Sequence, residues 1–209
     1  IASSIAHELR NPLQAMRLTV QMLREDCSTD QRDNFDLIIG EIDRLNLLTN
    51  ELLVLAGTDN LRIETLNITD ELNETLKLLK FQFRQRDIEV KIDLPDLPPV
   101  KMDRNRCRQL LLNLLLNAAE ASPRGGVIGI TGEKLPGNVV IRIADTGSGF
   151  PAEVLEGKVD EFFSTKASGA GLGLSICRRI IAQAGGRLNL YNTDRGAVAE
   201  IVLPACRDS

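Results

Sequence analysis

Apolar residues in the first quarter of the chain recur at helical spacing. Ile5, Leu9, Met16, Val20 and Leu23 lie three, four or seven positions apart, which lines them up on one stripe of an α-helix. Asp26-Cys27-Ser28-Thr29-Asp30 interrupts the stripe as a polar turn. Phe35, Ile38, Ile42, Leu45 and Leu52 then resume it, widened by Ile39, Leu48 and Leu55. Two helices in a hairpin cannot cover stripes this broad. A second copy would close a four-helix bundle, and the alternative is packing against the rest of the chain. The homodimer is the expectation.

Gly57-Thr58-Asp59-Asn60 breaks the helical pattern, and different periodicities follow. Leu61 to Leu66 reads as extended, and Thr69 to about Arg84 as a helix with Leu72, Leu76 and Leu79 on one face. Ile88 to Ile92 alternates like a half-buried strand, and Pro95, Pro98 and Pro99 mark a loop. Asp103 is a candidate N-cap for a long apolar helix ending near Ala121. Strands are expected at 127–133 and 139–144, around a turn at Pro136-Gly137-Asn138. A helix from about Gly171 to Ala184 and two closing strands, 187–192 and 197–203, complete the pattern. The expected organisation is an all-α helical hairpin at 1–57, a linker at 58–60, and an α+β unit at 61–209 with helices on one face of a mixed sheet.

Composition narrows the function classes. With 43% hydrophobic and 26% charged residues the chain is ordinary for a globular protein. It has no Trp, a single Tyr and a net charge of −4, so base-stacking platforms and polyanion stripes are missing and no nucleic-acid partner is expected. The four cysteines are scattered without a CxxC pair, and one histidine is too few for a zinc site. They read as reduced core residues of a cytoplasmic protein. No apolar run is long enough to span a bilayer, so no membrane contact is expected of this segment. The chain begins without Met inside a helical pattern and reads as part of a longer protein.

That one histidine, His7, stands in Ile5-Ala6-His7-Glu8-Leu9-Arg10-Asn11-Pro12-Leu13. Asn11 lies one helical turn after His7 and shares its face. Pro12 removes the N–H that would bond the Glu8 carbonyl, a cost of about 3 kcal/mol beside the imidazole. An ordinary surface histidine gives no reason for that cost, whereas a shaped site does.

Three further patterns carry chemistry. Gln109, Asn113 and Asn117 step by four, with Glu120 three further on, so amides line one face of an otherwise leucine-rich helix. Such a row either meets a polar cleft or is satisfied in the core by backbone groups, because an unpartnered buried amide costs about 1–3 kcal/mol. An Asn oxygen can ligate Mg²⁺ where phosphates and waters supply the other ligands. At the end of a strand, Asp145-Thr146-Gly147-Ser148-Gly149-Phe150 suits recognition of an amino group on a planar ring, or is an ordinary Asp-Gly turn. Finally, Phe162-Phe163-Ser164-Thr165-Lys166 precedes Gly169-Ala170-Gly171-Leu172-Gly173 at a helix start, where free N–H groups favour phosphate oxygens. The spacing is neither a P-loop nor a dinucleotide fingerprint.

In this order the motifs resemble the catalytic core of a two-component sensor histidine kinase over essentially the whole chain. His7-Glu8-Leu9-Arg10-Asn11-Pro12 is similar to its H box, Asn113–Asn117 to its N box, Asp145–Gly149 to its first glycine box, Phe162-Phe163 to its F box and Gly169–Gly173 to its second glycine box. Asn117-Ala118-Ala119-Glu120-Ala121 and Phe-Phe-Ser-Thr-Lys are most similar to the nitrogen-regulation subgroup. The resemblance implies a dimeric four-helix bundle followed by a two-layer α+β sandwich of the GHKL/Bergerat ATPase type. It implies ATP and Mg²⁺ as cofactors, with His7 as phosphate acceptor, Glu8 as general base, and phosphotransfer to an Asp of a response regulator receiver domain. Asn11 resembles the position that orients water in members that also dephosphorylate the regulator. Asn117 would ligate Mg²⁺, with Asn113 near the phosphates. Asp145 would accept from the adenine amino group, with Gly147 and Gly149 shaping the purine pocket. Thr165, Lys166, Gly169, Gly171, Leu172 and Gly173 would hold the phosphate tail.

Two positions depart from the family pattern. Glu120 and Arg124 stand where a basic residue often follows the N box, and Ala170 stands where many members have Thr. Gyrase- and chaperone-type relatives carry a water-activating Glu at the position of Asn113, and an amide cannot act as that base. The resemblance therefore implies a kinase; the alternatives are a non-catalytic dimeric ATP-binding scaffold or another GHKL ATPase.

Overall fold

A computed structural model describes residues 2–25, 31–32, 34–35, 37–42, 45, 61–156 and 173–206. The chain divides into two compact units, 1–60 and 61–209. In the first, helix α1 (Ala2–Glu25) runs through Pro12 without ending there. The described residues between 31 and 45 are helical again, in line with the second apolar stripe. In the single chain Met16, Met22, Leu23, Leu37, Ile38 and Leu45 are exposed, whereas Ile42 is buried. The turn expected at 26–30 and the linker at 58–60 lie outside the described residues. Among the described residues, no helix is long and apolar enough to cross a membrane.

The second unit begins with β1 (Ile63–Leu66) and α2 (Ile68–Gln85), whose N-cap Asn67 accepts from the Thr69 N–H at 2.9 Å. Ile68, Leu72, Thr75, Leu79 and Phe83 form its buried stripe, at the three- and four-residue steps that a helix face requires. After β2 (Glu89–Asp93) comes β3 (Val100–Asp103), which pairs antiparallel with β1. No β3 strand is expected from the sequence, because three prolines crowd the residues before it.

Asp103 then caps α3 (Arg104–Ala121). One carboxylate oxygen accepts from the Arg106 N–H at 3.1 Å and the other from the Arg62 N–H at 2.9 Å. Such a cap contributes about 1 kcal/mol, and here it also ties the approach to β1 onto the helix start. Cys107, Leu110, Leu111, Leu114, Leu115, Ala118 and Ala119 of α3 are buried, so α3 is the central helix of the layer. Burial, then the Glu71 charge, pushes the Cys107 thiol up to about 12, which keeps it protonated and unreactive. The Glu71 carboxylate, 3% exposed, receives Arg104 and, at 2.7 Å, the Arg108 Nε, while Arg104 also reaches Glu64 at 3.1 Å. Two guanidinium groups thus compensate the burial of that charge and join β1, α2 and α3.

Strands β4 (Val127–Leu135), β5 (Asn138–Ala144), β6 (Arg187–Thr193) and β7 (Gly196–Pro204) join β2 in a five-stranded sheet of order β2-β4-β5-β7-β6. Only β2 and β4 are parallel; every other pair is antiparallel. Register makes the two faces unlike. Ile130, Ile143, Ala199 and Leu190 form one cross-strand row, and Ile141, Ile201 and Leu188 the next. Burying Ile130, Ile143, Ile141 and Ile201 is worth roughly 1.5–3 kcal/mol each, whereas Leu188 and Leu190 on the edge strand are half-buried. On the opposite face, Arg142 pairs with Glu200 at 2.7 Å and with Glu133 at 2.9 Å, and Asn189 donates to Glu200 at 2.9 Å. The helices therefore cover a single face. Helix α3 packs on α2, on β5 and on α5 (Gly173–Gln183), and α5 lies against β6. A short helix, α4 (Ala152–Leu155), follows the loop after β5 and is not expected from the sequence.

Candidate functional site

The C-terminal end of β5 delivers Asp145 to the rim of the sheet, where its side chain is 7% exposed. The Asp145 N–H donates to the Ala197 carbonyl at 2.9 Å, which continues the β5–β7 ladder by one residue. Its carboxylate is fixed at one oxygen: Oδ1 accepts from the Gly147 N–H at 2.8 Å and from the Ala197 N–H at 3.2 Å. Oδ2 has no hydrogen-bond partner among the described residues, so it remains available to a ligand donor. A carboxylate held by two N–H groups is a rigid acceptor. This is more than an Asp-Gly turn.

The loop behind Asp145 is seated on α3. Thr146 Oγ1 accepts from the Val127 N–H at 3.0 Å, which anchors the loop to the start of β4. A Cβ at Gly147 would stand 2.4 Å from the Ala121 carbonyl oxygen, so only glycine allows the loop this close to the end of α3. That approach brings the Asp145 loop to the helix carrying the amides.

The amide row divides along its length. Gln109 is buried and accepts from Arg106 at 2.9 Å, a pairing within α3, and its Nε2 has no partner among the described residues. Asn113 is buried and donates from Nδ2 to the Gly173 carbonyl at 3.4 Å, which links α3 to the first residue of α5. Asn117 is half-buried, and its amide makes no hydrogen bond among the described residues. Glu120, at the end of the row, is exposed. No cluster of three or more His, Cys, Asp or Glu side chains gathers among the described residues. A hard cation here would therefore meet an amide oxygen and draw its other ligands from phosphate and water, a donor set that suits Mg²⁺.

Asp145, Gly147, Gly149, Asn113, Asn117 and Gly173 thus belong to one connected region built from β5, α3 and α5. Thr165, Lys166, Gly169, Gly171 and Leu172 lie outside the described residues. His7, Glu8 and Asn11 are carried on α1, in the other unit. Sequence reasoning did not find the Ala197 N–H or the anchoring by Thr146. The register of β7 on β5 brings Ala197 to Asp145 across a sequence separation of 52 residues, and no local pattern announces it.

Residues 1–60 match the His Kinase A (phospho-acceptor) domain, and residues 102–207 match the histidine kinase-, DNA gyrase B-, and HSP90-like ATPase family. The chain belongs to the sensor histidine kinases. The first match contains His7, Glu8 and Asn11, and the second contains the amide row, Asp145 and the glycine-led helix, so the chain carries the phospho-acceptor and ATPase-type domains that make up the catalytic core of this family. The core is 34% identical over 212 residues to sporulation kinase C of Bacillus subtilis (strain 168), covering 100% of this chain and 49% of that protein. It is 32% identical over 219 residues to the sensory histidine kinase/phosphatase NtrB of Azospirillum brasilense, covering 98% of this chain and 55% of that one, in keeping with the nitrogen-regulation likeness of its motifs. The histidine kinase ThkA, solved in complex with the response regulator protein TrrA, superposes with a TM-score of 0.68 at 28% identity, covering 98% of this chain and 60% of that one. The kinase core thus spans about half the length of the curated relatives it matches. Its ATPase-type unit is an ATP-binding domain.

Proposed function

We propose that this core transfers the γ-phosphoryl group of ATP to His7 and then to an Asp of a response regulator receiver domain. The observation that carries the proposal is the Asp145 carboxylate, held at Oδ1 by two backbone N–H groups with Oδ2 left for the adenine amino group. Asn113 and Asn117 would meet the phosphates from α3, and Thr165, Lys166, Gly169, Gly171, Leu172 and Gly173 would hold the phosphate tail. Asn117 would hold Mg²⁺ through its amide oxygen, and the bound ion would supply positive charge against the transferring phosphoryl group. A neutral imidazole offers a ring-nitrogen lone pair that can attack phosphorus, which is the role of His7, with ADP as the leaving group. Glu8, the next residue, orients the ring and takes its proton. Asn113 stands where a hydrolytic relative needs a base, which favours survival of bound ATP until His7 reaches it.

The exposed apolar residues of the first unit support a homodimer closed by a second copy of residues 1–57. Residues 58–60 are the linker to the ATP-binding unit, 61–209. ATP as substrate assigns the core to the cytoplasm. The test is incubation with γ-labelled ATP and Mg²⁺, followed by a purified receiver domain. The expected label is acid-labile and alkali-stable, and it moves to the receiver. Acid-stable phosphoserine, or phosphate release without a labelled chain, overturns the proposal.

Asn11 supports a second activity, dephosphorylation of the regulator, because it shares a helix face with His7 and the similar NtrB is named a kinase/phosphatase. Asn11→Ala should slow dephosphorylation of a phosphorylated receiver at least about tenfold, the loss of one water-orienting hydrogen bond. Autophosphorylation should persist. Equal dephosphorylation rates in parent and variant would remove Asn11 from the site.

A further inference from the structure

The loop from Asp145 to Phe150 has a second anchor at its far end, on a different strand. Asn192 of β6 accepts through Oδ1 from the Phe150 N–H at 2.7 Å and donates from Nδ2 to the Phe150 carbonyl at 2.9 Å. One side-chain amide thus meets both backbone groups of one residue, as a neighbouring strand residue would. The contact spans 42 residues of sequence and reaches past β7, because β6 is the edge strand in the order β5-β7-β6.

Gly149 makes the contact possible. Its φ of 83° lies in the left-handed region, and a Cβ there would stand 2.9 Å from the Asn192 amide atoms. The chain therefore turns at Gly149 so that Phe150 can lie against Asn192. Asp145 is tied to β7 and Thr146 to β4, but from Ser148 onward, among the described residues, Asn192 provides the side-chain tie that holds the loop before α4.

We infer that Asn192 is a positioning residue for the purine pocket, holding the distal half of the Asp145–Phe150 loop at the distance an adenine ring requires. This rests on the reading of Asp145 as the adenine acceptor. Asn192 acts through Phe150, not on the nucleotide. Its effect falls on ATP affinity and not on the transfer step, because binding energy that is equal in ground and transition states changes KM and leaves kcat alone.

Asn192→Leu keeps the size of the side chain and removes both hydrogen bonds; Asn192→Ala removes the bulk as well. Each is measured in the full chain for ATP Kd by calorimetry, for limiting rate of His7 labelling, and for hydrogen exchange at the Phe150 amide. Both variants are expected to raise the Kd about tenfold, the loss of two modest hydrogen bonds, to leave the limiting rate within about twofold, and to speed Phe150 exchange. Parent-like affinity in Asn192→Leu would show that packing alone suffices and would overturn the inference. A limiting rate that falls along with affinity would do the same. A parent chain that fails to bind ATP would instead overturn the reading of Asp145, and this inference with it.

Discussion

Replacing His7 by glutamine is expected to abolish acid-labile labelling of the chain by γ-labelled ATP while leaving ATP affinity within about twofold of the parent. Glutamine is close to histidine in length and suits a helix, so the substitution does not disturb α1. Its amide nitrogen lone pair is delocalised and cannot attack phosphorus. The chain contains no other histidine, so no neighbouring imidazole can rescue the reaction. A drop of at least ~10³-fold, equivalent to more than about 4 kcal/mol of transition-state stabilisation, is the smallest consistent result. The match to the ATPase family, residues 102–207, lies wholly within 61–209, a separate compact unit, so ATP binding should be retained. Persistent acid-labile label in His7→Gln would place the acceptor elsewhere and dissolve the assignment of α1.

What could be read in the sequence follows the range of the interactions. The Asp103 cap and the apolar stripes of α2 and α3 depend on neighbours three or four residues away; the cap is in place and Leu72 and Leu79 are buried as expected, although Thr75 takes the buried position between them and Leu76 is half-buried. Strand β3 was hidden because its four residues form a strand only by pairing with β1, some forty positions earlier. The amide row shows both outcomes at once. Its helical spacing was legible, but the division of labour along it was not. Gln109 turns to Arg106 within α3, and Asn113 turns to Gly173 on α5.

The glycines of the Asp145 loop make the same point more sharply. Their presence suggests close backbone approach, yet the sequence does not say to what. Gly147 is required by the carbonyl of Ala121, and Gly149 by the amide of Asn192. Both partners are protein groups, so the glycines build the pocket by letting the loop seat on α3 and β6. A motif that looks like a ligand-binding loop in one dimension is also, in three, a packing solution.

The acceptor itself offers the second large test. Asp145→Asn is expected to weaken ATP binding by on the order of a hundredfold or more, from loss of a charge-assisted hydrogen bond worth about 1.5–3 kcal/mol and from donor facing donor. The isosteric amide can keep its oxygen at the Oδ1 position, where the Gly147 and Ala197 N–H groups hold it at 2.8 and 3.2 Å. That choice sets an –NH₂ at the Oδ2 position, against the adenine amino group. Flipping the amide to relieve this clash would turn the –NH₂ on two backbone donors, so the fold enforces the unfavourable orientation. Inosine triphosphate, which carries an acceptor at the same ring position, should lose less affinity than ATP, and the ratio of the two dissociation constants reports the geometry directly. Thermal stability should change little, since the Oδ1 bonds survive. ATP affinity within about threefold of the parent, or equal losses for both nucleotides, would mean that Oδ2 does not face the ring amino group.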